Sequence, residues 1–272
     1  MMDNNSLKLH SKNIRKSILK MIAKANSGHP GGSLSIADIL TVLYFEKMNI
    51  NPENPEMAER DRLVLSKGHA APAVYAALCE RGDVCSSEME NLRQVDCMLQ
   101  GHPVMKGTPG IDMSTGSLGQ GLSAAVGMAL ASKYQDLNYY VYAILGDGET
   151  QEGQIWEAAM AGAHYKLNNL IAFLDHNGLQ IDGKNSEVMG VDPLDEKFRA
   201  FGWNVIDIDG HDFDEISNAV DSAKKETGRP TVIIAKTLKG KGVSFMENQA
   251  GWHGVAPKAD ELEIALEEIE RG

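Results

Sequence analysis

Five short runs rich in Val, Ile and Leu, set between segments of helical periodicity, constrain this chain more than any other feature. Arg62–Ser66, Tyr140–Leu145, Leu170–Asp175, Trp203–Ile208 and Thr231–Ala235 read as strands. Ile14, Ile18, Leu19 and Ile22 recur at helical spacing, and further helices are predicted over Ser35–Met48, Ala70–Glu80, Gly116–Lys133, Glu152–His164, Phe213–Lys225 and Ala259–Glu270. The break Ser27-Gly-His-Pro-Gly-Gly32 reads as a loop, and Gly119, Gly121 and Gly127 are expected to let their helix pack closely. Apolar strands that alternate with helices pair in parallel and are buried on both sides. The expected fold class is therefore α/β, a mainly parallel sheet flanked by helices on both faces. No composition shift, proline-rich linker or internal repeat marks a boundary, so residues 1–272 read as a single domain.

In such sheets ligands bind beyond the carboxyl ends of the strands. The loops after Leu145, Asp175 and Ala235 are where chemistry is expected. The first is Gly146-Asp147-Gly148-Glu149. An Asp-Gly pair often makes only a hairpin turn, but a strand would then follow, and Gln151–Lys166 has helical periodicity instead. Glycines on either side of a carboxylate let the backbone approach a bulky anion while the carboxylate holds a hard cation. The second loop is Asp175-His176-Asn177-Gly178-Leu179, and 28 residues separate Gly148 from Asn177, about one helix and one strand. That interval puts Asp147 and Asn177 on neighbouring strand tips. With a carbonyl near Leu179 they form a set of oxygen ligands that leaves room for diphosphate oxygens and water around Mg²⁺.

Charge and motif order exclude several classes. With 26 Lys+Arg against 38 Asp+Glu the formal charge is −12, and no basic stripe could track a nucleic-acid backbone. Cys79, Cys85 and Cys97 form no CxxC pair, which suits a reducing, cytoplasmic setting. Met1–His10 lacks the pattern of a signal peptide, and no apolar run has the roughly 20 residues that span a bilayer. Gly116-Ser-Leu-Gly119-Gln-Gly121 has the wrong order for a dinucleotide fingerprint, and Lys239-Gly-Lys-Gly242 lacks the spacing of a P-loop. Four histidines, His29, His69, His102 and His253, sit beside Gly or Pro in loops, at separations of 40, 33 and 151 residues that match no zinc pattern. His10, His164, His176 and His211 read as surface or satisfied core residues, and the acidic helix Asp260–Glu270 as a solvated face.

The Gly-Asp-Gly, the interval and the Asn resemble the signature of thiamine-diphosphate enzymes. More narrowly, the chain is similar to the transketolase family. Ser27-Gly-His-Pro-Gly-Gly32, Leu65-Ser-Lys-Gly-His-Ala-Ala-Pro72, Gly101-His-Pro103, Thr115-Gly-Ser-Leu-Gly-Gln-Gly121, Gly146-Asp-Gly-Glu-Thr-Gln-Glu-Gly-Gln-Ile-Trp-Glu157, Lys236-Thr-Leu-Lys-Gly-Lys-Gly242 and Trp252-His-Gly254 match in order. The likeness runs from about Ser11 to Ala256 and covers the first of three domains of a full-length transketolase, the thiamine-diphosphate, or pyrophosphate-binding, domain.

The resemblance implies that Asp147, Asn177 and the Leu179 carbonyl bind Mg²⁺, for which Ca²⁺ or Mn²⁺ can substitute. It implies cofactor contacts from Gly146, Gly148, Glu149, Asn177, Gly116, Ser117, Leu118 and Lys239. Gly32 stands where some members carry a cofactor-contacting serine. The four loop histidines would line the substrate channel, His69 and His253 nearest the reacting carbonyl and cofactor, His29 and His102 around the sugar hydroxyls. In the family the glutamate that activates the aminopyrimidine and an aromatic shelf for that ring belong to the second domain. The expectation is therefore one half of a two-subunit transketolase, nearly inactive alone, acting on sugar phosphates with a separate C-terminal subunit, two copies of each chain. Other readings on the same scaffold are a branched-sugar-phosphate transketolase, a deoxyxylulose-phosphate synthase, the alpha part of a 2-oxo acid dehydrogenase, or a non-catalytic cofactor-binding module.

Overall fold

In the computed structural model, which describes residues 2–272, the chain opens with α1 (Asn4–Ala25). Asp3 caps it by accepting from the Asn5 and Ser6 amides, and Ile14, Ile18, Leu19 and Ile22 form its buried face. The segment read as a loop is helical in part. Pro30 starts α2 (Pro30–Leu34), since its fixed φ suits the first turn and its missing N–H is not needed there. The helix expected over Ser35–Met48 runs over residues 37–47, as α3 (Ala37–Val42) continued without a break by a π turn over Leu43–Lys47. There follow β1 (Arg62–Leu65), α4 (Ala71–Arg81), α5 (Gln120–Tyr134), β2 (Val141–Gly146), α6 (Gly153–His164) and β3 (Leu170–His176). A small antiparallel hairpin of β4 (Leu179–Gln180) and β5 (Gly183–Lys184) leads to α7 (Asn185–Val188) and α8 (Leu194–Ala200). The chain closes with β6 (Asn204–Asp209), α9 (Phe213–Lys225), β7 (Thr231–Lys236) and α10 (Ala259–Arg271).

Five strands pair in parallel in the order β1-β2-β3-β7-β6. Successive strand residues point to opposite faces. Val141, Ala143 and Leu145 accordingly join the core under α5, α6 and α8, while Tyr142 and Ile144 join the core under α1 to α4, α9 and α10. After β3 the chain passes to the far edge and steps back to β7, so α9 covers the face opposite α5 and α6, as right-handed crossovers require. Among the described residues no helix is long and apolar enough to cross a membrane. The three cysteines are unpaired.

The helix expected from Gly116 starts only at Gln120. Gly119 caps it at φ +85°, a left-handed conformation that side chains resist, and this leaves residues 116–118 as a loop at the strand tips. A Cβ on Gly121 would stand 2.5 Å from Ser66 Oγ and 2.6 Å from Ser66 Cα, so α5 begins directly on the end of β1. Gly127 does not share this function: nothing lies within 4 Å of where its Cβ would be. Gly121→Ala is therefore expected to destabilise the fold by about 1–3 kcal/mol, because backbone and not a flexible side chain must yield. Gly127→Ala should be neutral or stabilising, and melting curves of the two variants check the contrast.

Candidate active site

Parallel register sets Gly146 of β2 beside Asp175 of β3, so the loops after both strands emerge at one edge. The Asp147 amide donates to the Asp175 carbonyl at 3.3 Å. Asp147 is buried, its Oδ1 accepting from the Gly148 amide at 2.8 Å and its Oδ2 from the Gly178 amide at 2.6 Å. Burial, with the Asp175 charge close by, nevertheless pushes its carboxyl up. Asn177 Oδ1 accepts from the Leu179 amide at 3.1 Å, and its Nδ2 donates to Asp175 Oδ2 at 2.8 Å, which fixes the orientation of the amide. A buried carboxylate, an amide oxygen and the Leu179 carbonyl are all hard oxygen donors, the set that Mg²⁺ or Ca²⁺ takes. Asp147 carries an incompletely neutralised charge, and three polar atoms of Gln180 and Asn185 beside it are buried without partners. The residues present therefore fit a divalent cation with an attached anion.

Two buried groups underneath hold the tips in place. Asp175 is fully buried and takes hydrogen bonds from Lys67 Nζ at 2.6 Å, Ser35 Oγ at 2.8 Å, Asn177 Nδ2 and Thr237 Oγ1. Burial alone would raise its pKa, but the Lys67 ammonium holds the carboxyl below the usual range. Lys67 also donates to the Gly32 carbonyl at 2.7 Å, joining α2 to the end of β1. Glu149 is the second strut. Its Oε1 accepts from Ser66 Oγ and from the Gly119 amide at 2.9 Å, its Oε2 from the Gly146 amide at 3.0 Å. With three donors on it, the Glu149 carboxylate knots three loops together.

His29, His69 and His253 form a triangle with ring centroids 5.1–5.4 Å apart. Burial, then Arg93, His102 and Lys239, lower the His29 pKa to about 4; burial, then Lys239, His29 and Lys67, lower that of His253 to about 3. Burial and Lys67 hold His69 well below its ordinary value, and burial and Arg93 lower His102. All four are neutral near pH 7. Lys239 Nζ lies 2.9 Å from His253 Nδ1 and donates to the Leu179 carbonyl at 3.3 Å, its own pKa brought down by burial to about 8. An ammonium only donates, so His253 Nδ1 accepts and the ring proton sits on Nε2. Arg93 acts alike on His29 Nδ1, at 3.4 Å, while donating to Ser27 Oγ at 2.9 Å.

His29, His69, His102, Gly116, Leu118, Gly146, Asp147, Gly148, Glu149, Asn177, Leu179, Lys239 and His253 all line one cleft of about 290 Å³. Ser117 alone among the expected site residues is not in that lining; it is exposed on the loop before Gly119, between Gly116 and Leu118, which are. Lys67, Asp175 and Arg93 are the additions. Lys67 and Asp175 stand inside or next to the matching motifs, but the pairing of residues 108 apart is a property of the folded chain. His211, read as a satisfied residue, is one: Nδ1 bonds Asp38 at 2.8 Å and Nε2 accepts from the Leu238 amide at 2.9 Å.

A family model described as "Transketolase, thiamine diphosphate binding domain" matches residues 7–269. The chain is 50% identical over 258 residues, 95% of its length and 94% of the relative's, to a 6-deoxy-6-sulfo-D-fructose transketolase subunit of a Clostridium species. It is 42% identical to an apulose-4-phosphate transketolase subunit of Phocaeicola vulgatus, covering 97% of this chain and 94% of the relative. To human transketolase it is also 42% identical, but it spans only 42% of that protein. The crystal structure of Campylobacter jejuni transketolase superposes with a TM-score of 0.93 at 35% identity, over 99% of this chain and 43% of that one. The parallel sheet, the acidic strand tip and these matches agree: the chain belongs to the transketolase family and carries its thiamine diphosphate binding domain.

Proposed function

We propose that this chain is the N-terminal subunit of a two-chain transketolase, moving a two-carbon ketol unit from a ketose to an aldose, each bearing a terminal anion. The observation that carries the reading is the meeting of Asp147 and Asn177 with three neutral imidazoles over a single cleft. We read residues 1–272 as one domain that works in the cytoplasm. Near-complete coverage of relatives named as subunits supports a separate partner chain. That partner would supply the glutamate that activates the aminopyrimidine, two copies of each chain would assemble, and this chain alone would be nearly inactive.

Asp147, Asn177 and the Leu179 carbonyl would hold Mg²⁺, and the amides around Gly148 the diphosphate. Bound there, thiamine diphosphate supplies a carbon nucleophile for the ketose carbonyl and a sink for the electron pair of the broken carbon–carbon bond. The neutral imidazoles do the remaining work at the substrate. His253, proton on Nε2, donates to oxygen as charge develops there, and His69 shares that end of the cleft. His29 and His102 hydrogen-bond the sugar hydroxyls. Lys239 keeps the His253 tautomer in place.

His253→Ala is expected to lower kcat about 100-fold, the effect of removing one donor to developing charge, with the Kd for thiamine diphosphate nearly unchanged. A normal kcat would remove His253 from the reaction. A second donor class is favoured by the relative at 50% identity, named for a sulfosugar, against those at 42% and 41% named for apulose 4-phosphate. Ketol transfer by the assembled pair from phosphorylated and sulfonated ketoses tests the proposal. Activity with either and none from the chain alone is the expected result; transfer from neither overturns it.

A further inference from the structure

Gln180 Nε2, Asn185 Nδ2 and Asn185 Oδ1 are buried with no hydrogen-bond partner. They belong to the hairpin β4–β5 and the residue after it. Both side chains face the bare Cα of Gly148, where an added Cβ would stand 3.3 Å from Gln180 Cβ and 3.5 Å from Asn185 Oδ1. Two contacts set the direction of the Gln180 amide. Its Oε1 accepts from Gln151 Nε2 at 3.1 Å, and the same nitrogen donates to the Met189 carbonyl at 3.0 Å. With its oxygen engaged, the NH₂ of Gln180 is left free on a residue that lines the cleft.

Asn185 is 3% exposed, and its backbone amide donates to the Gly178 carbonyl at 2.9 Å. Gly178 is the residue whose own amide holds Asp147 Oδ2. Asn185 thus sits immediately behind the candidate cation ligand, its NH₂ turned toward the Asp147 carboxylate outside full hydrogen-bond geometry and its oxygen unused. Buried polar atoms are almost always paired, and those that are not mark the place of a ligand, ion or water. A free acceptor behind the cation complements a water molecule bound to it, which offers a proton.

We propose that Gln180 and Asn185 form an amide clamp on the charged end of the cofactor. The NH₂ of Gln180 donates to a diphosphate oxygen. The Asn185 oxygen accepts from a cation-bound water while its NH₂ steadies Asp147. The clamp rests on the reading that Asp147 and Asn177 hold the cation and diphosphate, and its test separates the two.

Gln180→Met and Asn185→Leu keep the side-chain volumes and remove the amides, and Gln180→Glu reverses the electrostatic sign. Titration calorimetry of the enzyme assembled with its partner, with thiamine diphosphate at fixed Mg²⁺, is expected to show Kd raised about 10-fold in Gln180→Met and Asn185→Leu. Gln180→Glu should be weaker again, since it sets a carboxylate against an anion. In the ligand-free chain the two apolar variants should melt at or above the wild-type temperature, because an unpaired buried amide destabilises the empty fold. A purely structural function predicts the opposite sign. Wild-type affinity in both apolar variants, weaker binding that comes only with a lower melting temperature, or a Gln180→Glu that binds as well as Gln180→Met overturns the clamp. Asp147→Asn is measured alongside. If it alone weakens binding, the clamp fails and the strand-tip site stands; if it too binds normally, the strand-tip site fails.

Discussion

Asp147→Ala is expected to weaken Mg²⁺-dependent binding of thiamine diphosphate by at least about 100-fold, close to 3 kcal/mol. The Asp147 carboxylate is the one negatively charged member of the oxygen set formed with Asn177 and the Leu179 carbonyl, and burial has already stripped it of water. A cation placed against it recovers that desolvation; two neutral oxygens alone do not. Part of the effect in Asp147→Ala is structural, because the Gly148 and Gly178 amides lose their acceptor. Asp147→Asn removes the charge with less structural loss. It keeps one acceptor oxygen, so one of the two amides stays paired and melting falls less than in Asp147→Ala, yet it should bind cofactor about as poorly. A chelator added to the wild-type protein should produce the same loss without any substitution. Calorimetry with and without the chelator measures all three, and native affinity in both variants would place the cofactor elsewhere.

The sequence makes Asp147 and Asn177 legible because backbone geometry dictates their surroundings. Glycine next to a strand-end carboxylate and a one-helix, one-strand interval are local properties, and the parallel register of β2 and β3 turns them into proximity. The same holds for β1, β2, β3 and β7, whose apolar residues have nowhere to go but a sheet covered on both sides. The hairpin β4–β5 is not legible: each strand is two residues long, too short to carry a period. Gly127 shows the opposite error. It lies in a glycine-rich helix yet faces open space, since composition says nothing about which side of an element meets a neighbour. Residues that act through others, such as Lys67 on Asp175 or Arg93 on His29, require distant segments to meet. Neither pairing leaves a mark in the spacing.

The largest effect on stability is expected from Lys67→Met. The substitution leaves Asp175 fully buried with neutral donors from Ser35, Thr237 and Asn177 and no cation. Breaking one side of a buried ion pair costs about 3–5 kcal/mol, which for a chain of this length lowers the melting temperature by roughly 10 °C. Removing the other charge should reverse part of this. Lys67→Met combined with Asp175→Leu replaces the pair by apolar groups and avoids the desolvation of both ions, but Ser35, Thr237 and Asn177 lose an acceptor, so the recovery is partial. The double variant should nonetheless bind cofactor poorly. Asp175 Oδ2 is also the acceptor that aims the Asn177 amide, at 2.8 Å, and a leucine provides none. Melting temperature and cofactor affinity therefore separate: melting falls most in the single variant, where Asp175 still aims Asn177, and affinity falls most in the double, where melting partly recovers. If the double variant bound cofactor like the wild type, Asn177 would be oriented by its bond to the Leu179 amide alone, and the buried pair would serve the fold without serving the site.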